Sequence, residues 1–120
     1  MFAKRWLAIS ALLMTELSDQ FRLDVPLEDA SWACREAVAS MDWQLESIEP
    51  HRLVLKKGLR LDLFRIEVLL SEAGPDVTTV TLNGRLRLGF GRWDKRTLRS
   101  LINTLRNAIE VAARRSPKQR

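Results

Sequence analysis

The chain has 120 residues, 46% of them apolar and 29% charged, and a net charge of +5. That composition describes one globular domain with its own core and excludes a disordered or low-complexity chain. A single cysteine, Cys34, and a single histidine, His51, exclude an intramolecular disulfide and any metal cluster built on Cys and His. They make a reducing, cytoplasmic compartment the expectation.

Residues 1–20 form an N-terminal apolar and basic segment. Lys4 and Arg5 precede the apolar run Trp6 to Met14, the outline of a secretory signal. No small-residue cleavage site follows, and the run is shorter than a bilayer requires. Three readings stand: a short apolar helix on the domain or on a membrane surface, a degenerate signal, or a true start at Met14.

The domain pattern begins at Phe21 and runs to 115. Phe21 to Val25 alternates apolar and charged, as a half-buried strand does, and Pro26 ends it. From Glu28 to Met41 the residues Ala30, Ala33, Cys34, Ala37, Val38 and Met41 recur at helical spacing. Glu28 and Asp29 suit the positive end of that helix. Cys34 falls on the apolar stripe as a core residue, whereas Trp32 falls beside it.

Trp43 to Ile48 reads as a short strand, with a turn at Pro50. Arg52 to Lys56 and Leu59 to Leu63 place apolar residues on odd numbers. From Phe64 the set moves to even numbers (Phe64, Ile66, Val68, Leu70). A slip of one residue exchanges the faces, so a bulge, bend or loop is expected between Gly58 and Leu63. Gly74-Pro75-Asp76 marks a turn. Thr78 to Leu88 is then a strand with Val80, Leu82, Leu86 and Leu88 on one face. From Asp94, a natural N-cap, to Arg114 the residues Leu98, Leu101, Ile102, Leu105, Ala108, Ile109 and Ala112 follow the i, i+3, i+4, i+7 pattern of an amphipathic helix. Residues 116–120 are a basic tail.

The order β-α-β-β-β-β-α gives an α+β fold of two layers. An antiparallel sheet of four to five strands packs one face on two helices. In architecture it resembles helix-grip and TATA-box-binding-protein-like domains, in which a sheet curls around a long C-terminal helix. No shared motif accompanies that resemblance, and no functional residue is carried over from it.

Chemical motifs are sparse. His51 lies in a turn and Cys34 on a buried stripe, so neither reads as half of a nucleophile–base pair. Gly84 and Gly89 have the separation of a Walker loop, but Phe90-Gly91 stands where Lys-Ser/Thr is needed. Gly89-Phe90-Gly91 lacks the third glycine of a dinucleotide fingerprint. These glycines suit a strand-to-helix elbow instead. No catalytic residue, metal site or cofactor is assigned, and a non-catalytic binding domain is expected.

Charge supplies the first hypothesis about binding. Residues 1–83 carry a net −4 and residues 84–120 a net +9. Arg85, Arg87, Arg92, Trp93, Lys95, Arg96 and Arg99 cluster around the elbow and the start of the last helix, where basic groups oppose the helix dipole. An anionic partner is the main expectation: an acidic protein, an anionic lipid or nucleic acid. The alternative is a small hydrophobic ligand or lipid held between sheet and C-terminal helix by Phe64, Ile66, Leu82, Leu86, Leu101 and Leu105. A homo-oligomer through the long helix or the N-terminal run is a third expectation.

Overall fold

A computed structural model describes residues 14–59, 62–87 and 95–115. Seven elements follow one another: β1 (Met14–Leu23), α1 (Leu27–Ala39), β2 (Gln44–Glu49), β3 (Arg52–Leu59), β4 (Asp62–Gly74), β5 (Val77–Arg87) and α2 (Lys95–Arg114). The strands form one antiparallel sheet in the order β1-β5-β4-β3-β2. The expected α+β architecture of five strands and two helices is therefore present.

Alternation decides the layers. Phe21 and Leu23 of β1, Leu53 and Leu55 of β3, Phe64, Ile66, Val68 and Leu70 of β4, and Val80, Leu82 and Leu86 of β5 are buried together. Cross-strand pairs such as Leu55 with Ile66, and Val68 with Leu82, align them on one inner face. Both helices cover that face. α2 lies on β1, β5 and α1, and α1 lies on β4 and β5. Leu98, Ile102, Leu105 and Ile109 form the buried stripe of α2. Small residues let the two helices approach: Ala30, Ala33 and Ala37 on α1 and Ala112 and Ala113 on α2 are all buried.

α1 starts after Pro26, whose fixed φ of −61° suits extended backbone before a helix. Glu28 and Asp29 occupy the first turn, and the Ser40 hydroxyl closes the other end by donating to the Ala37 carbonyl at 2.6 Å. Thr78, fully buried, donates to the carbonyl of Val25 at 2.9 Å and so ties the connection between β1 and α1 to β5.

Several boundaries differ from the sequence reading. β1 begins at Met14 rather than Phe21, so residues 14–20 of the expected N-terminal segment are strand. The next strand runs from Gln44 to Glu49, one residue later than expected. Of the bulge, bend or loop expected between Gly58 and Leu63, the loop is what separates the strands, since β3 extends to Leu59 and β4 begins at Asp62. α1 ends at Ala39, and Met41 follows it as a half-buried residue packed on the core. Residues 1–13, Asp94 and the tail 116–120 lie outside the described residues, as do the glycines of the elbow, Gly89 and Gly91. Among the described residues no helix is long and apolar enough to cross a membrane.

Candidate functional site

The inner face is the first candidate. Phe64, Ile66, Leu82, Leu86 and Leu105 are all at most 1% exposed. Leu101 is half-buried at the flank of α2. Phe64 pairs with Leu86 and Ile66 with Gly84, so the strand residues of the expected hydrophobic set share one patch of the inner face. Gly84 fixes the height of the helix. A Cβ placed there would lie 2.7 Å from Ile102 Cδ1 and 3.0 Å from Leu98 Cδ1, so a glycine at this point lets α2 settle directly on β5.

An ion pair enters the same face. Asp19 of β1 accepts from Arg106 Nη1 of α2 at 3.0 and 3.3 Å. Arg106 Nε also donates to Glu110 at 2.8 Å. The guanidinium sits 4.8 Å from the Phe21 ring centroid. The bond to Glu110, then that to Asp19, raises the Arg106 pKa above its ordinary value. Sequence reading missed this constellation because Asp19 and Arg106 stand at opposite ends of the chain.

The outer face carries a polar cleft of about 650 Å³ that crosses all five strands. Ser18, Asn83, Glu67, Val54 and Ser47 form one cross-strand row. Around that row the charges are paired. Arg52 Nε donates to Glu67 at 2.7 Å, Arg65 Nη2 to Glu46 at 3.0 Å, and Arg85 Nε lies 3.1 Å from Glu16. Ser18 donates to Asn83, and Asn83 Nδ2 donates to Glu67. The Arg52 guanidinium holds the Glu67 carboxyl below the usual carboxylate range. Arg65 Nε is buried without a hydrogen-bond acceptor among the described residues.

Of the expected basic set, the described side chains are those of Arg85, Arg96 and Arg99. Arg85 lies on the outer face, paired with Glu16. Arg96 and Arg99 are exposed on the first turns of α2, which packs on the inner face. Arg92 and Trp93 lie outside the described residues, as do the side chains of Arg87 and Lys95.

Neither residue weighed for nucleophilic chemistry is placed for it. Cys34 is fully buried, and burial pushes its thiol up to about 12. His51 is exposed in the β2–β3 turn, where its carbonyl accepts from Leu70 N at 2.9 Å.

Solved structures share this architecture. The di-domain ARO/CYC BexL matches 98% of this chain with a TM-score of 0.63 at 16% identity. The Zhui aromatase/cyclase from Streptomyces matches 85% of it with a TM-score of 0.52 at 8% identity. A START superfamily protein from Mycobacterium smegmatis matches 83% of it with a TM-score of 0.53 at 11% identity. The chain spans about half of BexL (54%), against 95% of Zhui and 97% of the START protein. No protein-family model and no curated protein matches the sequence.

At these identities the fold is what is shared, and it is the helix-grip, START-like fold. The expectation of a non-catalytic domain is corrected by the same finding. Two of these neighbours are aromatase/cyclases, so the architecture is one that enzymes use. The absence of a His–Cys pair or a nucleotide motif was too narrow a ground for setting enzymes aside, because it tested only nucleophilic and phosphate-binding chemistry.

Proposed function

We propose that the chain is a binding domain for a small apolar ligand, an aromatic or acyl compound, seated between the inner sheet face and α2. The observation that carries the reading is the inner sheet face covered by two helices, the long amphipathic α2 on β1 and β5 and α1 on β4, with Phe64, Ile66, Leu82, Leu86 and Leu105 in one apolar cluster and Leu101 packed at its margin. Pockets for such ligands are mostly apolar with few polar anchors, and the neighbours in fold include a START protein and aromatase/cyclases.

Gly84 brings α2 down onto β5, so a ligand sits beside that contact rather than over it. The half-buried Leu101, on the flank of α2, is the lip of the site. The Asp19–Arg106 pair lies on the opposite flank of the helix and leaves the apolar patch to the ligand. The anionic-partner reading has less support, because Arg85 is already paired with Glu16 and the solved structures similar in fold include a START protein and aromatase/cyclases.

Titration with anilinonaphthalene sulfonate and with a long-chain acyl compound tests the proposal. The unaltered chain should enhance the fluorophore's emission, and the acyl compound should displace it. Leu101→Arg should weaken both by at least about tenfold, or about 1.4 kcal/mol, with an unchanged circular dichroism spectrum. No binding by the unaltered chain, or equal binding by the variant, overturns the reading.

A further inference from the structure

The β2 edge of the sheet is built to meet itself. Among the described residues β2 pairs only with β3, so one row of its backbone groups faces outward at the sheet margin. Leu45 and Ile48 are 39% and 59% exposed on this strand. An open edge carrying exposed apolar side chains is the feature that β-proteins ordinarily suppress with charge, proline or a cover.

The register explains how two residues three apart come to share a face. Leu45 pairs with Leu55 and Ile48 with Leu53, both buried inner-face residues. Between them the register shifts, since Ser47 pairs with Val54 and Glu46 has no partner of its own. The extra residue is a β-bulge. It places Glu46 and Ser47 together on the outer face, where both line the polar cleft. From Gln44 to Glu49 the side chains therefore point outer, inner, outer, outer, inner, outer. That pattern reads the same in both directions.

We propose that β2 joins β2 of a second copy of this chain, antiparallel about a twofold axis, to make one continuous ten-stranded sheet. In the register the palindrome sets, Gln44 faces the partner's Glu49, Leu45 faces the partner's Ile48, and Glu46 faces the partner's Ser47. Every facing pair then shares a face, as direct cross-strand partners must. The two Leu45–Ile48 contacts extend the inner apolar face across the axis.

Charge does not oppose the arrangement. No two carboxylates face each other directly. The two acids of β2 are also held by arginines of their own sheet, Glu46 by Arg65 at 3.0 Å and Glu49 by Arg52 at 3.4 Å. A strand that would otherwise repel its own copy is thus neutralised from within. The pairing is isologous, so every contact occurs twice. Six residues a side make a small interface, and micromolar association is expected.

Sedimentation equilibrium on the full chain, from low to high micromolar concentration, gives the first test. The expected result is a monomer–dimer equilibrium. Ile48→Lys should raise the dissociation constant by more than about tenfold, since one substitution removes two contacts. A second test reads the register. Chains carrying Leu45→Cys and chains carrying Ile48→Cys, mixed and oxidised, should give a disulfide between unlike chains, while neither oxidises alone to the same extent. Cys34 is buried and takes no part. A monomer across the whole range overturns the proposal, whether solvent or another partner then occupies the edge. So does a dimer that tolerates Ile48→Lys and shows no preference for the mixed disulfide.

Discussion

Gly84 and Ile102 are matched across the sheet–helix interface: a Cβ on the glycine would come within 2.7 Å of Ile102 Cδ1. Ile102 is 3% exposed and its neighbour Leu98 fully buried, so neither side chain has room to retreat. Gly84→Ala should therefore destabilise the domain by about 1–3 kcal/mol, the usual range for overpacking a filled core. Ile102→Val removes the Cδ1 atom, and in the double variant part of the loss should return. Urea denaturation of the two single variants and the double reads this directly. An unchanged midpoint for Gly84→Ala would show that α2 lifts freely off β5.

The Arg106 guanidinium bridges Asp19 and Glu110 above Phe21, yet 38% of its side chain remains exposed. Solvent screening limits what such a pair contributes, so Asp19→Asn should cost less than about 1 kcal/mol. The loss should be smaller in molar salt than in dilute buffer. Thermal melts of both proteins at two ionic strengths check this. A loss of several kcal/mol, insensitive to salt, would mark the pair as part of the core instead.

Glu67 makes stability depend on acid. Its carboxyl is held below the ordinary value of 4.5 by the hydrogen bond from Arg52. The unfolded chain therefore binds the proton first as pH falls, and unfolding gains from it. The contribution is complete above pH 4.5 and disappears as pH drops through the lower, folded value. Glu67→Gln should flatten the stability profile in that window and leave its shape at neutral pH unchanged. Chemical denaturation across the acid range measures the slope, and an identical slope in the variant would remove Glu67 as its source.

Cys34 should be silent in the native protein. Its thiol is pushed up to about 12 by burial against an ordinary 9.0, and only the thiolate reacts with alkylating agents. Iodoacetamide at pH 8 should label the chain at the rate of unfolding, and denaturant should accelerate labelling sharply. The folded chain keeps the neutral form. Cys34 thus lends stability that is intact below pH 9 and is lost as pH climbs toward about 12. Prompt labelling without denaturant would contradict the burial.

The elements with regular periodicity were legible in the sequence. In α2 the periodic positions Leu98, Leu101, Ile102, Leu105, Ala108, Ile109 and Ala112 are all buried or half-buried, while Val111, off that stripe, is exposed. In β5 the alternation of Val80, Leu82 and Leu86 marks the inner face. β1 was only half legible. Its first residues place Leu17 and Asp19 inward, and Asp19 belongs there only because Arg106 meets it. β2 hid its faces because the bulge at Glu46 breaks the two-residue period. The apolar inner set could be named from its spacing. The pairing of Arg85 with Glu16, which joins β5 to β1, could not, since no local rule links residues so far apart.

The sheet order also dictates how the chain must assemble. β2 to β5 follow one another as a meander, and each of those pairings closes a short loop. β1 instead docks against β5, bringing Ser18 to Asn83 across 65 residues of chain. Closing that distance demands far more loop entropy than any hairpin. The meander is therefore the natural folding nucleus, and β1 arrives last, drawn in by α2. Its amides should be the first in the sheet to exchange with solvent.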